Sequence, residues 1–261
     1  MVKLSVVIIT YNEEKNLERC LSAIIDLADD IVVLDCYSTD RTEEIARRFG
    51  ANFVQHPFDG HITQKNRAIT FAKYPNVLSL DADEELSPIL KKSIFDVKQN
   101  WEYDVYYFNR LTSYCGRWIH HTSWYPSRKV RLFKSTAGKW GGFNPHDEFK
   151  LNKNTTKKIL NGNLLHYSYY SIREHIDRIN SFSHLLAQSY FEAKRKSRLY
   201  DIILRPFWRF FRDYFIKLGF LDGFYGFVIS INSAFETYLK YVLLRMLNKE
   251  KKRLDKNRIT D

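Results

Sequence analysis

The chain has 261 residues, 44% of them hydrophobic and 16% aromatic, and carries 41 Lys and Arg against 30 Asp and Glu, a formal net charge of +11. That length and composition fit one α/β domain with an extension and exclude a disordered or low-complexity chain. Three scattered cysteines (Cys20, Cys36, Cys115) make no disulfide framework, and Met1 leads straight into an apolar strand, so a reducing compartment and no secretory signal are expected.

Leu4–Ile9 is an apolar, β-branched run and reads as a first buried strand. Asn12 follows as a candidate cap, with Glu13 and Glu14 in the first turn of a helix predicted through about Ala28. A second strand, Ile31–Leu34, leads to Asp35, and Ser38, Thr39 and Asp40 are candidate caps for a helix over Glu43–Phe49 that Gly50 would stop. Ala51–Gln55 reads as a third strand. Alternation of this kind specifies an open parallel sheet with helices on its faces. Neither Gly-x-Gly-x-x-Gly nor Gly-x-x-x-x-Gly-Lys-Ser/Thr occurs, which argues against a dinucleotide site and a P-loop.

Residues 78–85, Leu-Ser-Leu-Asp-Ala-Asp-Glu-Glu, end an apolar run in four acids within five positions. In a parallel sheet such a strand delivers carboxylates to its C-terminal edge, where ligands of open α/β sheets bind. Asp81 and Asp83 flank the small Ala82, so both can turn towards one hard cation that takes its other ligands from water and phosphate. Glu84 and Glu85 also suit the N-terminal dipole of a helix predicted over 88–99. Further on, Gln64–Arg67 opens a helix predicted over Lys65–Ala72. Its Lys65 and Arg67 either reach a phosphate or face solvent. In a strand over Lys129–Phe133, alternation would put Lys129 and Arg131 on one face, solvated by default or else in contact with phosphate or acceptor, and Val130 and Leu132 on the other. The adjacent His120 and His121 point different ways on most backbones and make a poor metal pair.

Ser5-Val-Val-Ile-Ile-Thr-Tyr-Asn-Glu13, Val32-Val-Leu-Asp-Cys-Tyr-Ser-Thr-Asp40 and Leu80-Asp-Ala-Asp-Glu84 resemble the successive motifs of family 2 glycosyltransferases. Gln64-Lys-Asn-Arg67, Val130-Arg-Leu-Phe133, Gly142-Phe-Asn-Pro-His-Asp-Glu148 and Leu218-Gly-Phe-Leu-Asp-Gly-Phe-Tyr-Gly226 are similar to a narrower branch, the lipopolysaccharide core glycosyltransferases of the β-1,4-glucosyltransferase type. The resemblance implies a GT-A fold, a mostly parallel nucleotide-sugar-binding sheet flanked by helices, with a UDP-sugar donor, inversion, and Mg²⁺ or Mn²⁺. It puts Thr10, Asn12 and Glu13 beside the nucleotide, Asp35 on the uracil or ribose, and Asp81, Ala82 and Asp83 around the diphosphate. Asp83 is the first choice as metal ligand, Asp81 the second, and Arg67 is favoured for the diphosphate. Many members carry an acid where Cys36 stands, which bears on base recognition.

An inverting displacement needs a carboxylate opposite the leaving group to take the acceptor's proton. Asp147 is the first choice, Glu148 the second, with His146 to orient the base or line the acceptor pocket. All three follow a glycine-rich approach (Gly138, Gly141, Gly142) expected to be flexible.

Charge divides the chain: residues 1–150 hold 20 basic and 20 acidic side chains, and 151–261 hold 21 and 10, the whole net excess. The expected layout is a catalytic domain over 1–165, with nucleotide-sugar binding in 1–100 and the acceptor side in 101–165, followed by a helical extension over 166–261. On a helix over 205–217, Arg205, Arg209 and Arg212 fall within about 60° of arc, with Phe207, Phe210, Phe211, Tyr214 and Leu218 opposite, and the three arginines and Trp208 are the candidate membrane contacts. A basic stripe backed by aromatics suits an anionic bilayer surface. The longest uncharged C-terminal run, Gly223–Phe235, is too short to span one. The expectation is a peripheral enzyme on the cytoplasmic face of a bacterial inner membrane, acting on a lipid-linked glycan. An inactive membrane-bound glycan binder is the alternative. Nucleic acid is not the expected partner, because the acids concentrate at one strand edge and the basic excess is confined to the C-terminal part.

Overall fold

The computed structural model describes residues 1–143 and 146–260, and the side chains of all of these except 143, 146 and 254–260. The chain forms two compact units: Met1–Thr112 with Pro126–Ser168, and Ser113–Tyr125 with Tyr169–Asp261.

The first unit begins β1 (Leu4–Thr10), α1 (Leu17–Ile24), β2 (Asp30–Asp35), α2 (Thr42–Arg48), β3 (Asn52–Gln55), α3 (His61–Thr70), β4 (Asn76–Asp81), β5 (Glu84–Leu86), α4 (Pro88–Gln99) and β6 (Val105–Tyr114). After β7 (Arg117–Ile119), which lies in the second unit, come β8 (Arg128–Lys134), β9 (Gly138–Phe143), β10 (His146–Leu151) and β11 (Lys157–Tyr169). One sheet runs β3-β2-β1-β4-β8-β6-β11-β5. Its first half is the expected parallel one, and β4–β8, β8–β6 and β11–β5 are antiparallel. Both faces are covered, which is why β1 carries the unbroken apolar run Val6–Ile9: Val6 and Ile8 join one core with Leu17, Leu21 and Leu80, and Val7 joins the other with Val32, Val77 and Phe133.

Three local expectations are corrected. Asn12 caps no helix; it has φ 52°, and α1 starts at Leu17 behind Asn16. Glu84 does not serve the dipole of α4, whose cap is Ser87, its Oγ accepting from Leu90 N at 3.3 Å; Glu84 lies buried in β5. The glycines of 138–142 form not a flexible approach but β9, paired antiparallel with β10.

The second unit is helical: α5 (Ile172–Glu192), α6 (Leu199–Phe211) running on into a π-helical turn (Arg212–Ile216), a 3₁₀ turn (Gly219–Asp222) and α7 (Gly223–Thr260). The elbow between α6 and α7 depends on glycine. A Cβ on Gly226 would lie 1.8 Å from the Gly219 carbonyl oxygen, and one on Gly219 would lie 2.7 Å from that of Asp213. Asp222 is used inside the elbow, its carboxylate accepting from the His120 and His121 amides at 3.1 and 2.8 Å.

Candidate active site

The C-terminal ends of β1, β2 and β4 bring the predicted residues together in two groups. At β1 and β2, Asp35 is fully buried and accepts from Thr10 Oγ1 at 2.9 Å, from Ser38 N at 2.7 Å and from the Ser38 hydroxyl. Asn12 N donates to Ser38 Oγ (2.7 Å), and its side-chain oxygen accepts from Thr39 N (2.8 Å). Glu13 N donates to Thr42 Oγ1 at 2.8 Å. These residues tie the loop after β1 to the loop after β2 and fix the rim of the sheet edge. Cys36 accepts from Gln64 Nε2 at 3.4 Å, and burial, then Asp35 and Asp59, push its thiol up to about 11.

The second group lies at the end of β4. Lys65 Nζ, almost fully buried, is 2.9 Å from Asp81 Oδ1 and 2.8 Å from Asp147 Oδ2, and so bridges the two carboxylates. Arg131 donates to Asp81 Oδ2 at 2.6 Å and to Glu84 Oε1 at 2.8 Å, while Glu84 Oε2 accepts from Asp81 N at 3.0 Å. Trp140 floors the cluster, with Lys65 Nζ 4.7 Å and the Arg131 guanidinium 5.3 Å from its ring centre. Burial alone would raise the carboxyls of Asp81 and Asp147. Arg131 and Lys65 outweigh it at Asp81, and Lys65 and Arg131 at Asp147, so both are held below the usual carboxylate range. Nearby, burial, then Arg110 and Arg131, bring Lys129 down to about 8.

Each residue of Gln64–Arg67 has its own task, set by the helix that carries it. Gln64 Nε2 donates to the Pro57 carbonyl at 2.7 Å. Asn66 exchanges hydrogen bonds with the Trp140 backbone at 2.9 and 3.0 Å, pinning α3 to β9 and through it to β10, where Asp147 sits. Lys65 enters the acid cluster. Arg67, the residue favoured from the sequence, does not: it pairs with Asp59 at 2.8 Å and meets His56 Nδ1 at 3.0 Å.

Arg131 corrects a further expectation. Tyr106 pairs with Leu132 and Tyr107 with Val130, so Arg131 is the extra residue of a β-bulge in β8. The bulge breaks the alternation. Val130 and Leu132 join different cores, and Arg131 turns inward, 3% exposed, instead of facing solvent.

Asp83 faces the other way. Its Oδ2 lies 3.2 Å from His166 Nε2 on β11, where His166 is in register with Glu84. His166 is buried, and its Nδ1 has no hydrogen-bond partner among the described residues. Burial works against ionisation of Asp83, and His166 outweighs it and lowers the carboxyl. Among the described residues no three His, Cys, Asp or Glu converge as a metal cage. A carboxylate and an imidazole beside a sheet edge still fit a cation that takes most of its ligands from substrate phosphate and water. Ala82, between the two aspartates, is buried.

Strand alternation separates the two candidate bases: Asp147 enters the cluster and Glu148 is exposed. The side chain of His146 lies outside the described residues. Sequence reasoning missed His166 as a site member, and left Lys65 and Arg131 open between a site role and solvent. The available signals were a lone histidine in an apolar strand, a basic residue beside the apolar Val130 and Leu132, and a lysine one position from Gln64.

In the second unit, the three arginines of the expected basic stripe are each paired: Arg205 with Asp201, Arg209 with Asp213 at 2.8 Å, and Arg212 with Asp213 at 2.9 Å. Trp208 is 54% exposed.

Residues 5–171 match the model of glycosyl transferase family 2, and the chain belongs to that family. Its fold is of the GT-A class that the sequence motifs imply. It is 31% identical to an uncharacterised glycosyltransferase of Rickettsia typhi over 258 residues, 95% of this chain and 88% of that one. It is 25% identical to the lipopolysaccharide core biosynthesis glycosyltransferase LpsC of Rhizobium meliloti over 253 residues, 92% of this chain and 93% of that one. A crystal structure of S. aureus TarS residues 1–349 in complex with UDP is similar at TM-score 0.46 and 15% identity, covering 97% of this chain and 92% of that one.

Proposed function

We propose that this glycosyltransferase moves a hexose from a UDP-sugar to a hydroxyl of a lipid-linked glycan, with inversion and with Mg²⁺ or Mn²⁺, at the cytoplasmic face of a bacterial inner membrane. The observation that carries the reading is the juxtaposition at the end of β4: Asp83 faces His166, and Asp81 shares Lys65 with Asp147. The likeness to LpsC supports a lipid-linked core glycan as acceptor.

Asp83 and His166 would hold the cation, which supplies positive charge to the departing nucleoside diphosphate. Lys65 and Arg131 keep fixed positive charge beside the same edge, already oriented by Asp81, Glu84 and Asp147, so little reorganisation is needed when the leaving group charges up. Asp147 is held ionised by Lys65 and Arg131, the deprotonated state from which a base must start. As the acceptor oxygen bonds to the anomeric carbon and the bond to the diphosphate breaks, the acceptor's proton passes to Asp147. Thr10, Asn12, Glu13 and Asp35 shape the nucleotide side by holding the two rim loops together.

Calorimetric titration with UDP-, GDP- and dTDP-sugars, with and without Mn²⁺, tests this directly. Metal-dependent heat with one UDP-sugar, absent in Asp83→Ala, is the expected result. Silence from folded protein across the whole panel would overturn the donor assignment.

A further inference from the structure

The α6–elbow–α7 segment exposes far more apolar surface than a solvated helix pair carries. On α6 and its π-helical turn, Leu199, Tyr200, Ile203, Leu204, Phe207, Trp208, Phe211 and Phe215 are all exposed and recur at helical spacing on one face. On α7, Phe224, Phe227, Ile231, Phe235, Tyr238 and Met246 form a second stripe, and Leu218, Phe220 and Leu221 join the two at the elbow. The helices run back along one another. Phe210 packs edge-on to Phe227 at 6.1 Å, Ser197 Oγ donates to the Tyr241 carbonyl at 2.8 Å, and Asn248 Nδ2 donates to the Arg195 carbonyl at 3.3 Å. Large apolar side chains present about 150–250 Å² each when fully open. At about half exposure this face amounts to on the order of 1,000 Å², against roughly 300–600 Å² for the largest patch of a typical soluble monomer.

Two observations choose the occupant. The arginines interspersed along α6 are neutralised by Asp201 and Asp213, both buried, so the helix carries few free charges. Free charge gathers instead at the open end: Lys194, Arg195, Lys196 and Arg198 before α6 and Lys249, Lys251, Lys252 and Arg253 late in α7 are all exposed, and the Asn248–Arg195 bond brings the two groups together. An apolar face bordered at one end by cations is complementary to acyl chains under an anionic headgroup layer. Among the described residues no single helix is long and apolar enough to cross a membrane, whereas α6 with its π-helical turn and the segment from Gly219, bent by 71° to one another, together have the length and composition.

We infer that the exposed face of α6, the elbow and α7 inserts into one leaflet of an anionic bilayer as a monotopic anchor, with the basic open end at the headgroups. The inference rests on the membrane part of the function proposed above and not on its chemistry. Insertion is apolar, and the arginine stripe serves to neutralise the buried Asp201 and Asp213.

The test is flotation of the full chain with phosphatidylcholine vesicles, with and without phosphatidylglycerol, followed by a wash in about 1 M salt, where charges more than about 3 Å apart are screened. Expected is binding that is favoured by phosphatidylglycerol and survives the wash. The triple variant Ile203→Gln/Phe207→Gln/Phe224→Gln should lower partitioning at least about tenfold, with its melting temperature and metal-dependent nucleotide-sugar binding unchanged. Brominated acyl chains should quench a component of the fluorescence that Trp208→Phe removes. Release of the wild type by salt, or flotation of the triple variant like wild type, overturns insertion. If the triple variant instead converts a dimer to a monomer at unaltered flotation, the face is a contact between two copies. Failure of donor binding in the calorimetric panel leaves these outcomes untouched, so the two readings fail separately.

Discussion

The end of β4 and the α6–α7 pair use charge in opposite ways. At β4, buried acids and bases are interlocked around one point, with Lys65 and Arg131 between Asp81, Glu84 and Asp147. In the helix pair, ion pairs such as Asp213 with Arg209 and Arg212 cancel charge along an element whose outward face is apolar. The first arrangement concentrates a field where a leaving group could use it. The second cancels charge beside an apolar face, as the proposed insertion requires. Net charge alone, which points to the C-terminal part as the electrostatic one, inverts this distinction.

The largest effects are expected at the sheet edge. Asp83→Ala should cut turnover by roughly 10³-fold and abolish the metal-dependent heat of donor binding. Asp147→Asn should cut turnover by roughly 10²–10⁴-fold while donor binding stays near wild type, and wild-type-like turnover in a steady-state assay would remove Asp147 as the base. Arg131→Ala leaves the buried Glu84 without its cation and Asp81 with Lys65 alone, and should destabilise the fold by roughly 3–5 kcal/mol, read as a drop in denaturation midpoint. If Arg131→Ala were neutral, the cluster would be a surface feature and the contrast between the two regions would collapse.

Smaller changes sharpen the contrast. Gly226→Ala forces a Cβ against the Gly219 carbonyl and should cost roughly 1–3 kcal/mol in thermal unfolding. A pH series separates structural from catalytic pairing. Burial alone would raise the Asp29 carboxyl, but Lys3, Lys98 and the Leu4 amide outweigh it and hold it at about 2. Because the folded value lies below that of the unfolded chain, this contribution is complete above about pH 4 and is lost as pH falls towards 2. It amounts to about 2 kcal/mol or less, and Asp29→Asn should flatten the acid limb of the stability curve. The smallest effect is expected from Arg205→Gln, whose side chain is half exposed: about 1 kcal/mol or less in stability and unchanged vesicle flotation. Flotation that collapses in this variant would restore the basic stripe as the membrane contact.

Much of the catalytic half was legible because its signals are local. The β-branched runs of β1 and β2, the apolar strand ending in Asp81 and the Ser87–Pro88 start of α4 each need only neighbours in sequence. Asp147 was legible over Glu148 only as a first choice; strand pairing of β9 and β10 separates them. Arg67 was favoured over Lys65 on the family resemblance, which does not say which way each side chain of the helix points. The two lie about 200° apart around the helix, and Arg67 goes to Asp59 while Lys65 goes to Asp81.

By itself the sequence determined the alternation of strands and helices, the carboxylate-bearing edge and the family, since these depend on periodicity and on residues close in the chain. Only the tertiary structure decided which charges meet. His166 reaches Asp83 through the register of β11 on β5, and Arg131 turns inward because a bulge interrupts β8. The stretch 113–125 joins the C-terminal helices through Asp222 and the amides of His120 and His121, about a hundred residues away. Each of these depends on pairing between distant strands or helices, and a linear pattern carries no information about which partner a buried charge will find.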